Sequence, residues 1–332
     1  MKVSIVGAGA IGGFIGTRLA AAGECQVSAL ARGATLAALR EHGWRLRQGD
    51  TLVRGPVAAA SNDAHDLGVQ DVVVIAVKGP ALAEVAVAIA PLLGPQTIVL
   101  PAMNGVPWWF SQGIPSLGEA PLDSVDPGGR ISTAIPQSQV VGCVVHASTS
   151  TPEPGLVMHK MGQGLIIGEP QGGMSERVRQ LAAQLKHAGF DVTASPDVRY
   201  EIWYKLWGNL TMNPVSAVTG ATIDRVLADA QVRAFCSCAM REASAIGERI
   251  GCRVAQTPED RHQVTAKLGA FKSSMLQDVE AGRPIELDSI VTAVQEMGRR
   301  VGVATPHIDI LLGLTRLFGR AHGLYPDVAV GS

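Results

Sequence analysis

Over roughly the first hundred residues, short apolar runs alternate with stretches patterned for helix. KVSIV leads into the turn GAGAIGG and the helical FIGTRLAAAG. QVSAL leads into ATLAALREHG, which closes on Gly43, a residue type that often ends helices. WRLRQGDTLVRGPVAAA alternates around turns at Gly49-Asp50 and Gly55-Pro56, which predicts short antiparallel strands. DVVVIAV is apolar throughout, the pattern of a central parallel strand covered on both faces. PALAEVAVAIAPLLG predicts a helix with Pro at its start and Gly at its end, and TIVLPAMNG a further strand and loop. Strand and helix in this order predict an α/β domain with a parallel sheet and helices on both faces.

The pattern then changes. Residues 112–130 are rich in Pro, Gly and acids and read as a loop at the edge of a cleft, where it could gate access. VVGCVVHAS, GLVMHK and GLIIGE predict strands between 140 and 168, SERVRQLAAQLKHAG a helix, and DVTAS a last strand. From Pro196 onward the pattern is helical, roughly 197–212, 224–250, 258–281, 286–301 and 306–320. This places a domain boundary near 195, giving domains 1–195 and 196–332. HIDILLGLTRLFG, in the last helix, fits the face of a homodimer and a core helix equally well.

Composition narrows the classes. A chain of 332 residues with 47% apolar and 17% charged content is globular and long enough for two cores. A formal net charge of −1 without a long basic run argues against nucleic acid and anionic membrane as partners. The opening MKVSIVGAGAIGG lacks the pattern of a signal peptide, and no run of about 20 apolar residues is present to span a bilayer. Five scattered cysteines, Cys25, Cys143, Cys236, Cys238 and Cys252, fit thiols in a reducing cytoplasm. The eight histidines show no paired metal spacing, so no metal site is expected; His146 and His159 read as structural.

Gly7, Gly9 and Gly12 form G-x-G-x-x-G, with Ala8, Ala10 and Ile11 between them. The motif follows a strand and opens a helix, the context of a Rossmann-type dinucleotide-binding domain. The first glycine would permit the tight turn, the second a close approach of backbone to pyrophosphate, the third tight helix–strand packing. Between Gln26 and Arg40 there is no acid to hold a ribose 2′-hydroxyl, and Arg32 stands at the expected place. A guanidinium there suits a 2′-phosphate, hence NADP. Lys78 ends the DVVVIAV strand, where such sheets bind ligands.

YEIWYKLWGNLTMNP, residues 200–214, reads as an apolar helix, yet Lys205, Asn209 and Asn213 recur at every fourth residue. A step of four drifts by only about 40° around a helix, so the three line one stripe. Such a stripe either points at something polar or is a solvated face with Glu201 and Lys205 as an ordinary pair.

KLWGNLTMNP resembles the K-x-x-x-N-x-x-x-N-P signature of the ketopantoate reductase (2-dehydropantoate 2-reductase) family. GAGAIGG, Arg32, AVK ending at Lys78, NGV from Asn104 and PGLVMHKMGQGLIIGE from Pro154 match in order, as do SSMLQD from Ser273 and GRPIELD from Gly282. The resemblance covers nearly the whole chain. It implies a Rossmann domain followed by an all-helical domain, with NADPH and a 2-oxo acid meeting in the cleft, in a step of pantothenate biosynthesis. It implies Lys205 as general acid, protonating the alkoxide as hydride reaches the carbonyl carbon. Glu286 matches the acid that orients this lysine and bonds substrate. Asn209, Asn213 and Ser274 match substrate-binding positions, and Asn104 a residue between cofactor and substrate. Ser148 matches a cofactor contact by position alone. Taken without the family, Glu286 and Ser274 read as a helix N-terminal acid and a cap.

The chain departs from the family in places. VSAVTGATIDRV after Pro214 lacks an Asn that some members use on substrate, and LDSIVTAV replaces an Asn-Gly pair after Glu286. Trp108 and Trp109 behind Asn104 suggest a related hydroxyacid dehydrogenase for a bulkier or aromatic substrate. A nucleotide-binding protein without catalysis is the third reading, opposed by retention of Lys205 and Glu286.

Overall fold

The structure is a computed structural model and describes residues 1–327. The chain divides into two compact units, one of Met1–Met103 with Gly128–Glu201, the other of Asn104–Pro127 with Ile202–Ser332. Asn104–Pro127, expected within the first domain, groups with the helical unit, and the second division falls at 201/202, a few residues after the expected 195.

The first unit begins β1 (Lys2–Val6), α1 (Ala10–Ala22), β2 (Gln26–Leu30), α2 (Gly33–His42), β3 (Trp44–Gln48), β4 (Thr51–Gly55) and β5 (Ala60–Ser61). It continues β6 (Val72–Ile75), α3 (Leu82–Ala88), β7 (Ile98–Pro101), α4 (Arg130–Ala134) and β8 (Gly142–Glu153). It ends with β9 (Leu156–Gly168), α5 (Glu176–His187) and β10 (Asp191–Ala194). One sheet has the order β5-β2-β1-β6-β7 with every neighbouring pair parallel, as the apolar runs predict. A second, mixed sheet runs β10-β9-β3-β4, with β8 antiparallel to β9. Helix α1 packs closely on the second sheet: a Cβ added to Gly16 would lie 2.7 Å from the Trp44 ring. Phe14, Ile15, Trp44 and Leu46 are all buried in this core.

Two expectations fail here for identifiable reasons. GLVMHK and GLIIGE belong to one 13-residue strand, β9. Gly162, at φ +72, lies where the pairing with β8 slips, so it bulges the strand without ending it. PALAEVAVAIAPLLG is not one helix but 3₁₀ turns at Gly79–Ala81 and Ala90–Leu92 flanking α3. Pro91 lacks the N–H that a continuing α-helix would need.

In the second unit, α6 (Val198–Thr219) begins just before the division and continues past the expected end at 212, through Pro214. The unit then contains α7 (Ile223–Ala228), α8 (Ala230–Arg249), α9 (Pro258–Ala266), α10 (Ser274–Glu280), α11 (Ala293–Arg300) and α12 (Pro306–Ala321). The predicted helix 224–250 breaks where Asp229 caps α8, its carboxylate accepting from Gln231 N and Val232 N. The predicted helix 258–281 breaks at Gly269, φ +63. A π-helical turn, Asp288–Thr292, precedes α11. In α12, Ile308, Leu311 and Leu312 are buried, while Ile310, Leu314 and Leu317 are exposed.

The 104–127 segment is integral to this unit's core. Trp108, Trp109 and Phe110 are at most 1% exposed, and Phe110 stacks on Trp203 at 6.2 Å between ring centroids. The tryptophans are therefore core, which removes the motive for an aromatic substrate. The Pro-rich stretch that follows is fastened to α11. Glu296 accepts from Asp123 N (3.0 Å), Ser124 N (2.9 Å) and Ser124 Oγ (2.7 Å). Arg300 bonds Glu296 at 2.6 Å and donates to the carbonyls of Leu117, Ala120 and Pro121. Burial acts to raise the Glu296 pKa, but these bonds outweigh it and hold it below the ordinary glutamate value. A loop tied at so many points is poorly suited to gating. Among the described residues, no helix is long and apolar enough to cross a membrane, and no cluster of His, Cys, Asp or Glu is arranged to hold a metal.

Candidate functional site

The parallel sheet brings Arg32, the glycine turn and Lys78 to one edge. Strands β2, β1 and β6 are neighbours, and at their C-terminal ends stand Arg32, the glycine turn and Lys78. Gly7 adopts φ +88, and its N–H donates to Leu30 O at 3.3 Å. A Cβ on Gly12 would lie 2.1 Å from Gly7 O, so only glycine lets α1 start this close to the strand. Ala8 is buried, and Ala10 and Ile11 are half-buried.

Gly9 is different. It is exposed, caps α1 without a side-chain hydrogen bond, and a Cβ there would meet nothing within 4 Å. The first turn of α1 carries no acid. Among the described residues nothing requires a bare backbone at this position, whereas a pyrophosphate resting on the helix N-terminus would. The turn therefore fits a dinucleotide.

Arg32 is exposed and is the N-cap residue of α2. Lys78 is half-buried, just before the 3₁₀ turn after β6. Ser148 is half-buried on β8 of the second sheet.

The expected chemical residues all lie in the helical unit. Lys205 is half-buried on α6, and its Nζ donates to Asn104 Oδ1 at 2.9 Å. Asn104, expected between cofactor and substrate, belongs to this unit and accepts from the ammonium. Asn209 is half-buried one turn on, and Asn213, 4% exposed, donates from Nδ2 to Ser274 Oγ at 3.4 Å.

Ser274 was expected as a cap on residue type alone, but Ser273 caps α10, its Oγ accepting from Leu276 N at 3.1 Å. Ser273 also bonds Ser216 Oγ at 2.5 Å, and Ser216 donates to Asn213 O at 3.0 Å. Ser274, exposed at the next position, is left to meet Asn213. These serines tie α10 to the polar stripe of α6, a function that only SSMLQD hinted at. Glu286 is half-buried, immediately ahead of the helical turn that begins at Leu287. Chemically, a donor-only ammonium, amides and a carboxylate suit the binding of a small oxygen-rich acid and protonation of one of its oxygens.

A parallel sheet with a bare glycine turn, joined in one chain to a helical unit with an ammonium–amide stripe, defines a two-unit dinucleotide-binding protein of the oxidoreductase type. Residues 3–172 match the family described as Ketopantoate reductase PanE/ApbA, and residues 197–318 match its C-terminal domain. The chain belongs to the ketopantoate reductase family. It is 44% identical to the 2-dehydropantoate 2-reductase of Mesorhizobium japonicum, over 98% of this chain and 100% of that one. A crystal structure assigned as a ketopantoate reductase, from Ralstonia solanacearum MolK2, shares 53% identity over 97% of this chain and 99% of that chain, with a TM-score of 0.93. The 2-dehydropantoate 2-reductase of Methylococcus capsulatus aligns over the full length of both chains at 26% identity, TM-score 0.84.

Proposed function

We propose that this protein is an NADPH-dependent reductase that converts 2-dehydropantoate to pantoate. The observation that carries the reading is the Lys205–Asn104 bond at 2.9 Å, at the head of the Asn209–Asn213–Ser274 stripe, in a chain of this family. When bound, NADPH supplies the hydride. The Gly7–Gly12 turn holds the pyrophosphate on the N-terminus of α1, Arg32 pairs with the 2′-phosphate, and Lys78 lines the same sheet edge.

Asn209, Asn213 and Ser274 bind the oxo acid. Asn104 aims Lys205, which stabilises charge developing on the substrate oxygen and gives it a proton. Glu286 orients this lysine and bonds the substrate. The test is loss of nicotinamide absorbance on mixing protein, NADPH and 2-dehydropantoate. Turnover of another 2-oxo acid alone would overturn the substrate; NADPH binding without turnover of any 2-oxo acid would favour a non-catalytic binding protein.

A further inference from the structure

The Asn104 loop is seated on the π-helical turn that follows Glu286. In an α-helix, the carbonyl of Ser289 would accept from the N–H of Ala293, four residues on. Here Ala293 N–H bonds Asp288 O instead, the i to i+5 pattern of the π turn. The Ser289 carbonyl thus lacks the Ala293 donor of an α-helix, and it accepts from Val106 N at 2.8 Å.

Gly105 makes this seating close. Its φ is +80, and a Cβ there would lie 2.6 Å from Ser289 O and 2.5 Å from Ser289 Oγ. The π turn is itself braced. Asp288 Oδ1 accepts from Thr292 Oγ1 at 3.1 Å and from Tyr325 OH at 2.7 Å. The segment before it is held by Ile285 N donating to Leu324 O at 3.0 Å. Burial and the bond to Asp288 push the Tyr325 phenol up to about 12, so this donor keeps its proton across the neutral range.

We infer that the π turn at Asp288–Thr292 is a positioning device, with Gly105, Asp288 and Tyr325 as positioning residues. By withholding the Ala293 donor from Ser289 O it seats the Asn104 loop, and so sets Asn104 and the Lys205 ammonium in register with Glu286. An ordinary α-helical turn at this point would bring Ala293 N–H to Ser289 O, in competition with the loop's anchor. The inference rests on the reading of Lys205 as proton donor for its catalytic consequence, though not for the seating itself.

Three variants and three readouts test it. Gly105→Ala should lower kcat on the order of 100-fold, the scale of an ångström-sized misplacement, and Tyr325→Phe should lower it several-fold. The NADPH Kd of Tyr325→Phe should stay within about threefold of wild type, on the view that only alignment is disturbed. Hydrogen exchange at the Val106 amide, protected in the wild type, should accelerate in both variants. Gly105→Ala combined with Ser289→Ala should remain as impaired as Gly105→Ala, since the backbone contact persists. Recovery in the double variant, or an unchanged kcat in Tyr325→Phe, would overturn the inference. If the wild type reduces no 2-oxo acid, the proposed function fails, while the exchange measurement still decides whether the loop is seated on the turn.

Discussion

Gly9→Ala separates a glycine needed by a ligand from one needed by the fold. The added Cβ meets no protein atom within 4 Å, and the backbone at φ −81 is open to alanine. Alanine is a poorer N-cap than glycine, so the folded state should lose no more than about 1 kcal/mol. If the pyrophosphate rests on this backbone, the methyl group displaces it from one or two N–H donors. Hydrogen bonds to a charged group contribute about 1.5–3 kcal/mol each. Affinity should therefore fall by roughly 10- to 10,000-fold, at about 1.4 kcal/mol per decade. Fluorescence titration with NADPH, together with a thermal melt, measures both quantities. Gly12→Ala is the contrast: a Cβ 2.1 Å from Gly7 O must move backbone, so stability and affinity should fall together. An unchanged NADPH Kd in Gly9→Ala would refute the placement of the phosphates over this turn.

Three further outcomes are expected. Arg32→Ala should weaken NADPH by about 10- to 100-fold and NADH by less than about threefold; equal weakening in paired titrations would remove the 2′-phosphate role. Lys205→Ala should lower kcat by about 10²- to 10⁴-fold in stopped-flow assays while leaving NADPH affinity nearly intact, and near-normal turnover would exclude it as general acid. Glu296→Gln should destabilise the protein at neutral pH by about 1–3 kcal/mol, since a charged acceptor of several buried bonds is lost. Because folding depresses the Glu296 pKa, its contribution is full above the ordinary value of 4.5 and fades as pH falls through the lower folded value. Urea midpoints of wild type and variant should therefore converge in acid, and a constant gap down to pH 2 would contradict this.

The parallel sheet was legible because DVVVIAV and KVSIV have one reading, and the glycine turn because its spacing sits between a strand and a helix. The α6 stripe was visible because helical period alone aligns Lys205, Asn209 and Asn213. What escaped the sequence depends on partners far along the chain. Nothing local told whether Trp108 and Trp109 face a ligand or the core, or that Glu296 and Arg300 hold residues 117–124. The π turn escaped because a one-residue difference in hydrogen bonding leaves no mark on side-chain periodicity. Asn104-Gly105 was the available clue, a dipeptide suited to positive φ, but its seat on Ser289 was not readable. Helix ends failed where one residue decides them, at Pro91, Asp229 and Gly269.

The helical unit's ownership of Asn104–Pro127 constrains how the polypeptide can be cut and in what order it matures. A fragment ending near Ser195 would carry Trp108, Trp109 and Phe110 without the helical unit they belong to and without Trp203, which stacks on Phe110, so apolar surface is exposed that invites aggregation. Its complement would lack the same three rings and melt early. During synthesis those rings must wait, shielded by chaperones or by transient collapse, until Trp203 leaves the ribosome.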